Sequence, residues 1–232
     1  MSKPALCASV AVVAALLLAG CSGDEKSVSE GKTPDEVMEL AATTLDETSG
    51  VSVTVDSEGL PDGMTVLKAA DGVGTHAPAF DGTISVVLAG TDFNVPIVAV
   101  DDKVWAQIPL TPGWSDVDPA DYGAPDPAQL MSPDTGFSSL LTATTDVEEG
   151  DTVRGGEDNK EVLTEFTGTV PGDVVKNVIP SASGEFDATY TVTSDGELRE
   201  AVLTGVFYPD TEPMTYTLGF DDYGTEKEIT AP

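Results

Sequence analysis

The 232-residue chain is 40% apolar and only 6% aromatic, with 23 glycines and 16 prolines, a composition suited to one domain of many short elements joined by tight turns. Ten basic residues against 41 acidic ones give a formal net charge of −31, which excludes nucleic acid as a partner and describes a heavily solvated surface. With two cysteines and one histidine, chemistry that needs a thiol or an imidazole has little to work with.

Residues 1–20 read as a secretory signal peptide: Lys3 supplies a thin basic start, and Ala5 to Leu18 are uninterruptedly apolar. A bilayer span needs about 20 such residues, more than this stretch offers. It closes on Leu18-Ala19-Gly20-Cys21, which resembles the bacterial lipobox, whose cysteine becomes the lipidated first residue of the mature chain. Cys7 then leaves with the signal peptide and Cys21 is consumed by acylation. No disulfide, zinc ligand or thiol nucleophile remains, and neither a metal nor a cofactor is expected. Two acyl chains on Cys21, at ~0.8 kcal/mol per buried methylene, would hold the protein on the extracytoplasmic face of the cell membrane. Residues 21–32 are polar and without apolar period, which predicts a flexible tether leading to a single domain over 33–232.

The domain opens with a helix over 34–48. Thr33 caps it, Pro34 suits its first position, and Glu36 completes a capping box, with Val37, Leu40, Ala41 and Leu45 on one face. From Val51 the apolar period becomes two. Val51, Val53 and Val55 form one run, Ile84, Val86 and Leu88 the next, then Phe93, Val95 and Ile97 before a turn at Asp101-Asp102, with Val104 and Ile108 flanking Trp105. Later runs are Val162/Phe166/Val170, Phe186/Ala188/Tyr190/Val192, Leu203/Phe207 and Met214/Tyr216/Leu218/Phe220, with a hairpin signal at Asp195-Gly196. Between them, 122–141 (YGAPDPAQLMSPDTGFSSLL) fits no strand. Its starts at Asp126-Pro127 and Asp134-Thr135-Gly136 predict short helices with Leu130, Met131, Phe137, Leu140 and Leu141 on their apolar sides. A further helix is expected from Gly172 to Ile179, carrying Val175 and Val178. Alternation leaves one sheet face wet and the other covered. The expected class is therefore α+β, a long curved antiparallel sheet with helices on its concave face.

Nothing in this chain points to catalysis. His76 sits in the loop-like Gly74-Thr75-His76-Ala77-Pro78 and has no GxSxG serine to serve, and no glycine-rich phosphate loop or calcium-loop spacing occurs. The acidic pairs Asp101-Asp102, Glu148-Glu149 and Asp221-Asp222 all occupy turn-like positions, as chance pairs in so acidic a chain would.

The run WSDVDPADYGAPDPAQLMSPDTGFSSLL (114–141) resembles the signature segment of the LppX/LprA/LprF/LprG family of actinobacterial lipoproteins, the LprG branch above all. The lipobox, the capped helix, Arg154-Gly155-Gly156, the run Phe166 to Val170 and the Val174 to Pro180 segment recur in the family's order, so the resemblance covers about 33–230. It implies a half-barrel of antiparallel strands wrapped round helices and enclosing an apolar cavity. It also implies a membrane-anchored, non-enzymatic carrier that takes the acyl chains of glycolipid or triacylglycerol and helps move them across the cell envelope, in some members beside a major-facilitator efflux transporter.

On that resemblance the cavity lining comprises Val51, Val53 and Val55, Ile84, Val86 and Leu88, and Phe93, Val95 and Ile97 from the first strands. Leu130, Met131, Phe137, Leu140 and Leu141 come from the insert, Val175 and Val178 from the later helix, and Phe186, Tyr190, Met214 and Leu218 from the last strands. Anionic headgroups would be repelled by this acidic chain unless Lys68, Lys103 or Arg154 lies at the mouth. The competing expectation is a surface lipoprotein with a packed core, acting as an adhesion or transporter-assembly module.

Overall fold

The computed structural model describes residues 26–232, apart from 89, 134, 157 and 158. The signal peptide and Cys21 lie outside the described residues. Helix α1 (Pro34–Glu47) starts where the capping box requires: Thr33 Oγ1 accepts from Glu36 N at 3.3 Å, and Thr33 N donates to Glu36 Oε2 at 2.7 Å. The bonds that Thr33 donates to the Glu36 carboxylate, from its backbone N and then from Oγ1, hold that carboxyl below its ordinary range. The buried face is Val37, Met38, Ala41, Ala42 and Leu45, with Leu40 only half-buried.

Among the described residues eleven strands make one antiparallel sheet. They are β1 (Gly50–Glu58), β2 (Val66–Thr75), β3 (Ala79–Leu88), β4 (Thr91–Val100), β5 (Lys103–Ala106), β6 (Ser115–Val117), β7 (Thr145–Gly155), β8 (Glu161–Pro171), β9 (Ser183–Thr193), β10 (Leu198–Val206) and β11 (Met214–Asp221). The order β6-β5-β4-β3-β2-β1-β11-β10-β9-β8-β7 is two meanders joined where β1 pairs with β11, Val55 opposite Leu218. The sheet does not close.

That topology explains the insert. The chain must pass from β6 at one edge to β7 at the other, and it does so across the concave face through 3-10 turns η1 (Pro119–Tyr122) and η2 (Pro127–Met131) and helix α2 (Phe137–Ala143). Asp118 and Asp126 cap the two turns by accepting from Ala120 N and Ala128 N, each at 2.9 Å.

The covering elements divide the concave face. Helices α1 and α2, with the short α3 (Gly172–Val175), pack over β7 to β10, while η2 packs over β2 to β4. Under the helices lies the main core, in which Phe166, Phe186, Tyr190, Phe207 and Phe220 are fully buried. Phe207 stacks obliquely on Phe186 at 4.7 Å and edge-on to Tyr216 at 4.8 Å. A second, smaller cluster groups Phe80, Val95, Ile97, Ala99, Val104 and Ala106 beneath Ala128 of η2. Between the clusters β2 offers almost no side chain inward. A Cβ at Gly72 would lie 2.5 Å from Phe80 Cζ and 2.8 Å from the Asp81 carbonyl, and one at Gly74 would lie 2.6 Å from Met131 Cγ.

Several expectations need correction. The stretch expected as flexible tether is ordered from Lys26 onward: Glu30 N bonds Ser27 O, Lys32 N bonds Ser29 O, Ser27 Oγ lies 3.0 Å from Thr164 Oγ1, and Val28 is 2% exposed in the main core. One valine among polar neighbours makes no period, yet it suffices to dock the segment. Glu148 and Glu149 are not at a turn but inside β7, an exposed edge strand. The helix expected over 172–179 is helical only to Val175, after which Lys176 to Ile179 continue as turns. His76 is in a turn, as expected, but its Nε2 donates to the Leu45 carbonyl at 2.7 Å and joins that turn to α1.

Candidate functional site

Strand register gives the sheet two ends. The upper end carries the Asp101-Asp102 turn, where both residues have positive φ, together with α1 and η2. The lower end carries the β3–β4 hairpin, closed by Leu88 opposite Thr91, and the β1–β2 loop.

The candidate lining residues separate into two environments. Val51, Val53, Met131, Phe137, Leu140, Leu141, Val175, Phe186, Tyr190, Met214 and Leu218 belong to the main core, with Val55, Leu130 and Val178 half-buried against it. They touch one another as a packed interior does. Val95 and Ile97 belong to the second cluster, with Ile84, Val86 and Phe93 half-buried at its margin and Leu88 50% exposed beyond it.

Those last residues make up the candidate site. Ile84 pairs with Val95, Val86 with Phe93 and Leu67 with Val86, so their side chains share the concave face toward the lower end, next to Ala70 opposite Ile84. The covering turn η2 lies at the upper end, where Ala128 and Gln129 meet Val100 and Asp101. A shallow apolar trough results, floored by strands and bounded on the β1 side by Val55 and Tyr216. The Tyr216 hydroxyl donates to the Leu67 carbonyl at 2.8 Å, and burial pushes its pKa up. Apolar side chains half-exposed in a concave surface retain a transfer free energy of about 25 cal/mol per Å² for whatever removes them from water. Ile108 stands at the trough's β5 side, in the loop rather than in a strand. Leu67 was not legible as part of this surface, because β2 (VLKAADGVGT) lacks apolar alternation.

Two hollows lie elsewhere. One of about 440 Å³ at the upper end is bordered by Ala77, Ala79, Val100, Ala128 and Ile229, with Lys227 ion-paired to Asp81 at 2.9 Å beside it. The other, of about 540 Å³, is polar and surrounds Arg199. Arg199 Nη2 and Nε donate to Glu161 at 2.7 and 3.1 Å, and Nη2 lies 3.0 Å from Glu197. This pairing holds the Glu161 carboxyl below its ordinary range, and burial pushes the neighbouring Tyr223 phenol up. Neither hollow is bordered by a candidate lining residue. Among the described residues no group of three or more His, Cys, Asp or Glu side chains is placed to hold a metal ion, and no helix is long and apolar enough to cross a membrane.

The three candidate cations are dispersed. Lys68 is toward the lower end but engages Asp92, Lys103 pairs with Asp116 at 3.0 Å beside the upper turn, and Arg154 lies on β7 with Nη1 3.3 Å from the Lys160 carbonyl. They make no common headgroup site.

A family model described as LppX_LprAFG lipoprotein matches residues 33–230. The chain belongs to the LppX_LprAFG lipoprotein family. Within it, the chain is 30% identical over 200 residues to proteins named lipoarabinomannan carrier protein LprG, from Mycobacterium tuberculosis and Mycobacterium bovis, covering 82% of this chain and 81% of theirs. The crystal structure of LprF from Mycobacterium bovis matches with a TM-score of 0.70 at 14% identity, over 86% of this chain and 96% of that one. That of the Mycobacterium tuberculosis lipoprotein LppX matches with a TM-score of 0.62 at 19% identity, over 85% and 98%. At these identities the two structures establish the fold: the open antiparallel sheet with few helices is the family's architecture.

Proposed function

We propose that this LppX_LprAFG family member is a non-enzymatic lipid carrier whose cargo lays an acyl chain in the trough of Ile84, Val86, Phe93 and Leu67. The observation that carries the reading is the half-buried state of these side chains on a concave face whose other half is fully covered. An acyl chain of about fifteen methylenes costs on the order of 12 kcal/mol to expose to water, at ~0.8 per methylene. Shielding one needs apolar area and no reacting group. The 30% identity to proteins named as lipoarabinomannan carriers supports the same class of cargo.

The finer reading follows the chemistry. Anchoring through a lipidated Cys21 would keep the domain on the extracytoplasmic face of the cell membrane, where moving glycolipid or triacylglycerol through the envelope needs such a shield. A net charge of −31, with Lys68 already engaged by Asp92, favours cargo with an uncharged head, of which triacylglycerol is the simplest. A major-facilitator efflux transporter would supply or drive the cargo.

A second reading has its own observation. The main core is packed, so fourteen of the candidate lining residues serve the fold or border it; a module that merely holds an envelope partner would look the same there. Native mass spectrometry with organic extraction, on the protein made in an actinobacterial host, separates the two. Acylated lipid at near one per chain supports the carrier and identifies its cargo, whereas a folded, empty protein that also refuses added lipid supports the packed module.

A further inference from the structure

We propose that the lower end of the domain docks on an electrically neutral lipid surface, with Leu110 as the side chain that enters it. The loop after β5 heads for that end. β5 runs from Lys103 opposite Val100 to Ala106 opposite Ile97, Gln107 N bonds Pro96 O at 3.0 Å, and a turn closes with Thr111 N to Ile108 O at 3.0 Å. Leu110 stands at this turn with its side chain wholly in solvent, 104% exposed.

Its backbone is as unusual as its exposure. Among the described residues seven non-glycine positions have positive φ; six are Asp or Asn, which tolerate it, and the seventh is Leu110 at φ 66°. Leucine here costs the fold conformational strain and contributes nothing to either apolar cluster. A residue that is unfavourable to the folded chain and useless to its core is explained by something outside the chain.

Position and charge select the partner. Leu110 lies in the β5–β6 connection, which points toward the end of the sheet where Leu88 is 50% exposed. A surface touching both would let an acyl chain slide between bilayer and trough without crossing water, which is the sense in which this inference rests on the carrier reading. With Lys68 already paired to Asp92, Glu58 and Asp62 leave this end net acidic and disfavour an anionic surface, so attachment is by apolar insertion.

The test is flotation of the mature chain from residue 22, without Cys21 so that no anchor contributes, on vesicles of phosphatidylcholine alone or mixed with phosphatidylglycerol. The wild type should partition onto phosphatidylcholine, and less onto the anionic mixture. Leu110→Ser and Leu110→Gly should each lose about tenfold in partitioning. Leu110→Gly should meanwhile be at least as resistant to urea as the wild type, because glycine adopts positive φ freely. Equal flotation of wild type and variants, or none by the wild type, overturns the proposal. So does concentration-dependent self-association abolished by Leu110→Gly, which would assign the loop to a second copy of the chain. Loading from ethanol-dispersed triacylglycerol and, separately, acylated glycolipid, without vesicles, is measured in parallel: failure of both alongside normal flotation removes the carrier reading and leaves the docking surface standing.

Discussion

Thr144 Oγ1 lies 2.7 Å from the Leu140 carbonyl and 2.8 Å from the Tyr190 hydroxyl, and since a carbonyl only accepts, the relay runs Tyr190 to Thr144 to Leu140. It joins the end of α2 to the middle of β9 inside the core. Tyr190→Phe should cost about 1 kcal/mol, the net worth of one hydrogen bond. Thr144→Val should cost about 2–3 kcal/mol, because it leaves the Tyr190 hydroxyl buried without a partner. Urea midpoints with an unchanged slope would measure both.

The same phenol sets an alkaline limit. Burial pushes the Tyr190 pKa up to about 12 from 10.0, so folding holds its proton. A group whose folded pKa is raised stabilises fully below the unfolded value and loses that contribution as pH climbs toward the folded one. Stability should fall between pH 10 and about 12, less so in Tyr190→Phe. Urea midpoints at successive pH values across that window should show it.

Acid acts through Arg199. Because the guanidinium holds the Glu161 carboxyl below its ordinary value of 4.5, the pair's contribution is present above that pH and declines as pH falls through the depressed folded value. Glu161 is a third exposed, so solvent screening limits the effect of Glu161→Gln to about 1 kcal/mol at pH 7. The wild type and variant should converge in acid; a gap that persists at pH 2 would assign the loss to packing.

Val28 tests where the domain begins. Val28→Ser should cost about 2 kcal/mol, the burial of one valine, and removing residues 26–32 should cost at least as much. Thermal melting of chains starting at residue 22 and at residue 33 would compare them directly, and identical midpoints would make the docked segment dispensable.

The trough and the core should respond oppositely to bulk. Ile84→Trp, on the uncovered part of the face, should change stability by less than about 1 kcal/mol yet reduce lipid loading several-fold. Phe186→Ala, fully buried, should cost about 3–5 kcal/mol whatever it does to loading. Native mass spectrometry beside urea denaturation reads both quantities, and unchanged loading of Ile84→Trp would remove that position from the site.

Legibility followed the chemistry of each segment. Thr33, Pro34 and Glu36 announced α1 because a capping box is a local code, and Val51 or Phe186 announced strands because alternation is one too. β2 escaped because Gly72 and Gly74 face inward where Phe80 and Met131 leave no room for a side chain, so its inner face carries no apolar signal. β7 escaped because as an edge strand it is exposed nearly throughout. Which apolar residues are core and which are trough is decided by where α1, α2 and η2 lie across the face, a long-range fact that no single strand encodes: Phe186 and Ile84 sit in equally regular runs and end in different surroundings.

An open sheet has two free edges, and here they are unlike: β6 is three residues long, whereas β7 presents eleven, among them Asp146, Glu148, Glu149 and Asp151. A bare edge would seed pairing between copies. Carboxylates ranged along β7 make each such encounter repulsive, so copies can be concentrated and still remain separate molecules.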